Sequence, residues 1–147
     1  MRWKQRIVSG FDERRNSGGM KTLQVIISSS DNLKDLKFIQ ALLASKLMNF
    51  WCINYLADDM NQTYLEQLPI RSIDFSKPAD KALHDKLVSL VEQMLAAKPQ
   101  LASAQSDKDK DFYENKCAAL DRQIDALVYE LYGLTPDEIK IVEGATA

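Results

Sequence analysis

Apolar residues recur every three or four positions through most of this chain, and that spacing predicts helices. Leu36, Ile39, Leu42, Leu43, Leu47, Phe50 and Trp51 share one face of a helix over about 34–56. The capping-type run Ser28-Ser29-Ser30-Asp31-Asn32 precedes it, and Asp58-Asp59-Met60-Asn61-Gln62 ends it. Two heptad stretches follow. Leu83, Leu87, Leu90 and Met94 recur at steps of 4, 3 and 4, with Leu101 beyond, and Tyr113, Cys117, Leu120, Ile124, Leu127 and Leu131 continue the alternation. Such alternation is a coiled-coil seam, with Ala102 to Asp109 as the bend of an antiparallel hairpin. In its middle Leu87, Leu90, Ile124 and Leu127 are expected to face one another, so Leu127→Ala should cost about 2–5 kcal/mol. Val88, Val91, Leu95, Val128 and Tyr132 widen the stripe, so the hairpin should also pack on the 34–56 helix.

Punctuation residues sharpen the boundaries. Pro69 drives Leu68 toward extended geometry. Ser76 is a capping candidate ahead of Pro78 in a first helical turn, and Pro99 is expected to kink or end the first hairpin helix. Gly133 sits where a helix-ending glycine belongs. Thr135-Pro136-Asp137-Glu138 reads as a capping box, opening a terminal helix over about 135–143.

The first thirty residues differ. Residues 2–9 and 22–28 are short runs with Ile, Val and Thr, and they flank a charged stretch bounded by Gly10 and Gly18-Gly19. They predict two strands and an exposed loop. The expected fold is therefore α+β and mostly α: a small N-terminal β portion, one packed helix, a long antiparallel helical hairpin and a short C-terminal helix. Residues 1–75 form one part and residues 76–147 the other.

Composition bounds the function. The chain has 147 residues, 46% hydrophobic and 27% charged, with Gly 5 and Pro 4, which fits a soluble globular protein and not a many-turned β fold. It holds no apolar run of about 18 residues and no apolar segment behind the N-terminal Met1-Arg2-Trp3-Lys4, so no membrane partner and a cytoplasmic location are expected. Two separated cysteines and one histidine exclude a disulfide scaffold and a classical zinc site, and no metal is expected. The net charge of −2 conceals a gradient. Residues 1–51 carry nine Lys/Arg against four acids, whereas residues 107–147 carry five against ten. Such polarity suits a basic end that meets a polyanion, or two solvated faces that differ without consequence.

Chemistry is mostly absent. No GxGxxG, Walker A, GxSxG, HExxH or EF-hand loop is present, and neither is the Asp/Asn-Pro-Pro-aromatic tetrapeptide with which some amino-methylating enzymes hold the target amine. The Asp137-to-Lys140 acid-x-Lys triplet falls inside the capping box. His84 reads as a partly exposed helical histidine, Cys52 and Cys117 as small buried hydrophobes, and Trp51, Tyr55, Tyr129 and Tyr132 as core. Asp58 and Asp59 read as solvated. Arg14 and Arg15, in the Gly-bounded loop, are candidates for phosphate or guanine contact, with Arg2, Lys4, Arg6 and Lys21 nearby. The alternative is a loop charged for solubility.

From Phe38 onward the chain resembles the C-terminal specificity region of adenine-specific DNA methyltransferases of the type IIG restriction–modification kind, the TaqI-like specificity domain. The stretches that carry the resemblance are Phe38 to Leu47, Leu65-Glu66-Gln67-Leu68-Pro69-Ile70, the helical pair, and Ile124-Asp125-Ala126-Leu127-Val128-Tyr129-Glu130-Leu131-Tyr132-Gly133-Leu134-Thr135. Ala44 stands where the family usually has Asn. The resemblance implies a DNA-recognition role with double-stranded DNA as partner, no catalytic residue in this chain, and S-adenosylmethionine bound only by a parent catalytic domain. It further implies a fragment of a larger enzyme, a site-specific adenine methyltransferase with or without a fused endonuclease. The competing expectation is an interaction module whose hairpin docks on a parent domain or on a second copy.

Overall fold

The computed structural model describes residues 33–55 and 66–146, and these fold as five helices. They are α1 (Leu33–Ala44), α2 (Lys46–Tyr55), α3 (Pro78–Ser103), α4 (Asp107–Tyr132) and α5 (Pro136–Thr146). The expectation of an α+β fold is corrected: the regular structure of the described residues is helical throughout, with no strand among them. The two predicted strands, at 2–9 and 22–28, lie outside those residues.

The antiparallel hairpin is the spine. Helices α3 and α4 have 26 residues each, which makes each roughly 39 Å long. Helix α1 lies across the hairpin, mainly on α3, and α5 folds back from the end of α4 to pack on α2. The main core joins Phe38, Ala41 and Leu42 of α1 to Leu87, Val88, Leu90 and Val91 of α3 and to Leu120, Ile124, Val128 and Leu131 of α4. A second, smaller cluster holds Leu43, Met48, Cys52 and Leu68.

The hairpin follows the heptads, with one adjustment. Leu87, Leu90 and Ile124 are buried as expected, but Leu127 is only partly buried, and Val128 takes the deeper place on α4. The cover of α1 and α2 draws Val128 and Tyr129 inward and turns Leu127 toward the flank. The expected cost of Leu127→Ala therefore moves to or below the lower end of its range.

Three local expectations are corrected. The single helix over 34–56 is two helices. Its break at Ser45 arises because the Lys46 N–H donates to Asp125 Oδ1 at 2.8 Å, and so leaves the helical ladder. The Leu42 carbonyl accepts instead from Ser45 N at 3.2 Å and Ser45 Oγ at 2.7 Å, while Ser45 Oγ accepts from Met48 N at 3.3 Å. Pro99 does not end α3, which runs on to Ser103. It is exposed, so water can take the carbonyl that its missing N–H leaves without a partner. Ser76 does not cap α3. The N-cap is Lys77, without a side-chain cap bond, because Ser76 Oγ donates to Asp74 Oδ1 at 2.6 Å.

The C-terminal corner matches its reading. Gly133 has φ 68° and ψ 34°, with Gly133 N donating to Glu130 O and Leu134 N to Tyr129 O, both at 3.0 Å. These are the two bonds of a Schellman ending. Thr135 N and Oγ1 each donate to Glu138 Oε2 at 2.8 Å, and Glu138 N donates back to Thr135 Oγ1 at 3.4 Å. That reciprocity is the capping box.

Candidate functional site

The six DNA-contact candidates Arg2, Lys4, Arg6, Arg14, Arg15 and Lys21 lie outside the described residues, as do Asp58 and Asp59. Among the described residues, polar side chains converge instead where the hairpin, α2 and the non-helical strap 68–76 meet.

The strap is pinned along its length. Leu68 is buried in the smaller apolar cluster, and Ile73 packs against the main core. Tyr132 Oη donates to Pro69 O at 2.6 Å and accepts from Arg71 N at 3.1 Å. The Arg71 guanidinium donates to the Leu131 carbonyl, and its Nη2 lies 4.0 Å from Asp80 Oδ1. Burial pushes the Tyr132 phenol above its usual range, against the opposing effects of the Arg71 N–H and the Arg71 charge. Asp74 N donates to Asp80 Oδ2 at 3.3 Å. Hydrogen bonds from Ser76 hold the Asp74 carboxyl below the usual carboxylate range.

The strap ends against a histidine that was expected to be partly exposed. His84 is 3% exposed, with Phe38 and Phe75 at ring-centroid distances of 5.2 and 5.1 Å. Its Nδ1 is 3.1 Å from Asp85 Oδ1 and its Nε2 is 3.7 Å from Asp35 Oδ1. The ring is buried because α3 turns its 84–87–88–91 face toward α1, one position away from the heptad seam.

A second junction ties α2 to α4 and α5. Besides the Lys46 N–H bond to Asp125, Lys46 Nζ lies 3.7 Å from Glu143 Oε1. Burial raises the Asp125 carboxyl above the usual carboxylate range; the Lys46 N–H and charge oppose this, and the charges of Asp121 and Glu143 reinforce it. Tyr129, one turn on, is buried, and its hydroxyl has no hydrogen-bond partner among the described residues. Burial foremost, then the Asp125 and Glu143 charges, raise its phenol. Cys52 and Cys117 are buried, as read. Tyr55 is not core: it is 69% exposed and stacks on Trp51.

Arg71, Asp125 and Lys46 carry these junctions, yet composition did not single them out. The usable signal was the resemblance itself. Its Leu65–Ile70 and Ile124–Thr135 stretches, about sixty positions apart, meet at Tyr132 through Pro69 and Arg71. Among the described residues, no cluster of three or more His, Cys, Asp or Glu could hold a metal, and no helix is long and apolar enough to cross a membrane.

Comparison with known proteins gives this architecture a context. The chain is similar to the type II restriction enzyme and methyltransferase RM.Eco57I of Escherichia coli, with 27% identity over 137 residues. The match takes in 87% of this chain and 14% of that protein, and it relates the chain to restriction–modification. No family model and no solved structure matches the chain.

Proposed function

We propose that this chain is a DNA sequence-recognition part of a restriction–modification or adenine-specific DNA methyltransferase system, and that transfer chemistry and S-adenosylmethionine belong to a parent catalytic part. The observation that carries this reading is the similarity to a restriction enzyme and methyltransferase, which takes in most of this chain but a seventh of that protein. Charge supports the assignment of the DNA-facing end. All six Lys/Arg before residue 33 are the candidates named above, and the acidic 107–147 segment lies at the other end of the sequence. Arg14 and Arg15 contact backbone phosphates in this reading.

The test is binding of a fluorescein-labelled random duplex at two salt concentrations. Wild type should bind with an affinity that falls as salt rises. Replacing Arg14 and Arg15 with Ala should weaken binding to all sequences and lower the salt slope by about 1 per lost phosphate contact. Equal affinity and slope for both proteins would remove the DNA assignment from this loop.

A second reading has its own support. Met94, Leu101 and Tyr113 near the hairpin tip are only partly buried, and Phe112 is 60% exposed. A bracing or dimerising hairpin would use that end, and its association would hold or tighten as salt rises.

A further inference from the structure

The geometry points to Tyr132 and Arg71 as positioning residues that fix the leading end of α1 relative to the hairpin. The inference rests on the DNA-recognition reading for its consequence, though not for its geometry. The contacts form an unbroken path. Tyr132 Oη, at the end of α4, holds Pro69 O at 2.6 Å and Arg71 N at 3.1 Å. Arg71 also grips the Leu131 carbonyl and faces Asp80 on α3. Asp80 holds Asp74 N. The next residue, Phe75, packs T-shaped against His84, which also meets Phe38 of α1. His84 Nε2 lies 3.7 Å from Asp35, two residues into α1. Residues 1–32 join the chain at that end of α1.

Two features make Tyr132 suited to this work. One hydroxyl serves as donor and acceptor to two backbone groups of the strap, so its loss frees two points of it at once. Its ring packs against the main core, so Tyr132→Phe keeps the packing and removes only the clasp. Arg71→Met is the independent variant, because Arg71 is exposed and its loss opens no core cavity. A clasp of this kind acts by preorganisation: a helix end held in one place loses less freedom on meeting a partner.

The experiment places spin labels at Lys34→Cys and Lys110→Cys and measures their distance distribution in wild type, Tyr132→Phe and Arg71→Met. The native thiols are buried, which favours labelling at the introduced sites. Both variants should keep a helical spectrum and a cooperative melt, yet broaden the distribution. Binding of the random duplex should weaken roughly tenfold, on the scale of a net hydrogen bond lost. A distribution as narrow as wild type in both variants overturns the positioning role. A broadened distribution with unchanged DNA affinity overturns the claim that the clasp serves DNA binding. Failure of wild type itself to bind DNA sinks the DNA reading, and the distances still decide the role of the clasp.

Discussion

The two halves of the hairpin carry the same heptad pattern and differ in how deeply it is buried. In the half beneath α1 and α2, Leu87, Val88, Ile124, Val128 and Leu131 are buried. Toward the bend, Met94, Leu95, Leu101 and Tyr113 are only partly buried, and small side chains, Ala97 and Cys117, occupy the buried positions. The seam is a property of two helices, and the 3–4 alternation shows it at every turn. Depth is a property of the third layer, which covers one half. Asp125 is buried in the covered half, whereas Asp107, Asp109 and Asp111 sit exposed near the bend.

The largest predicted effect tests that contrast directly. Leu87→Ala, at a side chain with 0% exposure, should destabilise the chain by about 2–5 kcal/mol. Leu101→Ala should cost about half of that or less, since a partly exposed leucine has less apolar surface to lose. Urea denaturation of both variants checks this, and equal costs would show that the covering layer adds nothing.

How far the sequence revealed the fold depends on where the deciding partner sits. The hairpin, the Gly133 ending and the Thr135 capping box were legible because each is a pattern within a few residues. The break at Ser45 was not, because the acceptor that takes Lys46 N–H is Asp125, 79 positions away. The burial of His84 was missed for a similar reason: its neighbours Phe38 and Phe75 come from α1 and from the strap. Of the candidate site, the resemblance marked both stretches of the clasp, but only the fold shows that Tyr132 joins them. The six basic candidates lie outside the described residues.

A smaller effect belongs to the corner that closes the covered half. Gly133 has φ +68° and open space where a Cβ would stand. Gly133→Ala therefore meets no clash with neighbours and costs only the strain of a left-handed alanine, roughly 1–2 kcal/mol. A thermal melt checks this. A loss as large as that of Leu87→Ala would mean that the corner matters to stability as much as the covered core.

The smallest effect concerns the buried carboxylate itself and appears as a pH dependence. Burial raises the Asp125 carboxyl above its ordinary value of 3.8. The folded state thus holds this proton more tightly than the unfolded state. The linked stability is fully present below the unfolded value and is lost as pH rises through the folded one. Asp74, Asp85 and Glu138 run the other way: their carboxyls are lowered, so their contribution is lost as pH falls. The whole chain mixes both signs, and a substitution is needed to separate them. Asp125→Asn keeps an oxygen able to accept from Lys46 N–H and removes the titration, while the other carboxylates remain in both proteins. The stability of Asp125→Asn relative to wild type should therefore rise between pH 4 and pH 7, as wild type takes on a buried charge that the variant lacks. Urea denaturation of both proteins at those two pH values checks the sign. A difference that stays constant, or falls, would show that the Lys46 N–H and charge fully offset the burial of Asp125. The covered half would then differ from the half near the bend in packing alone.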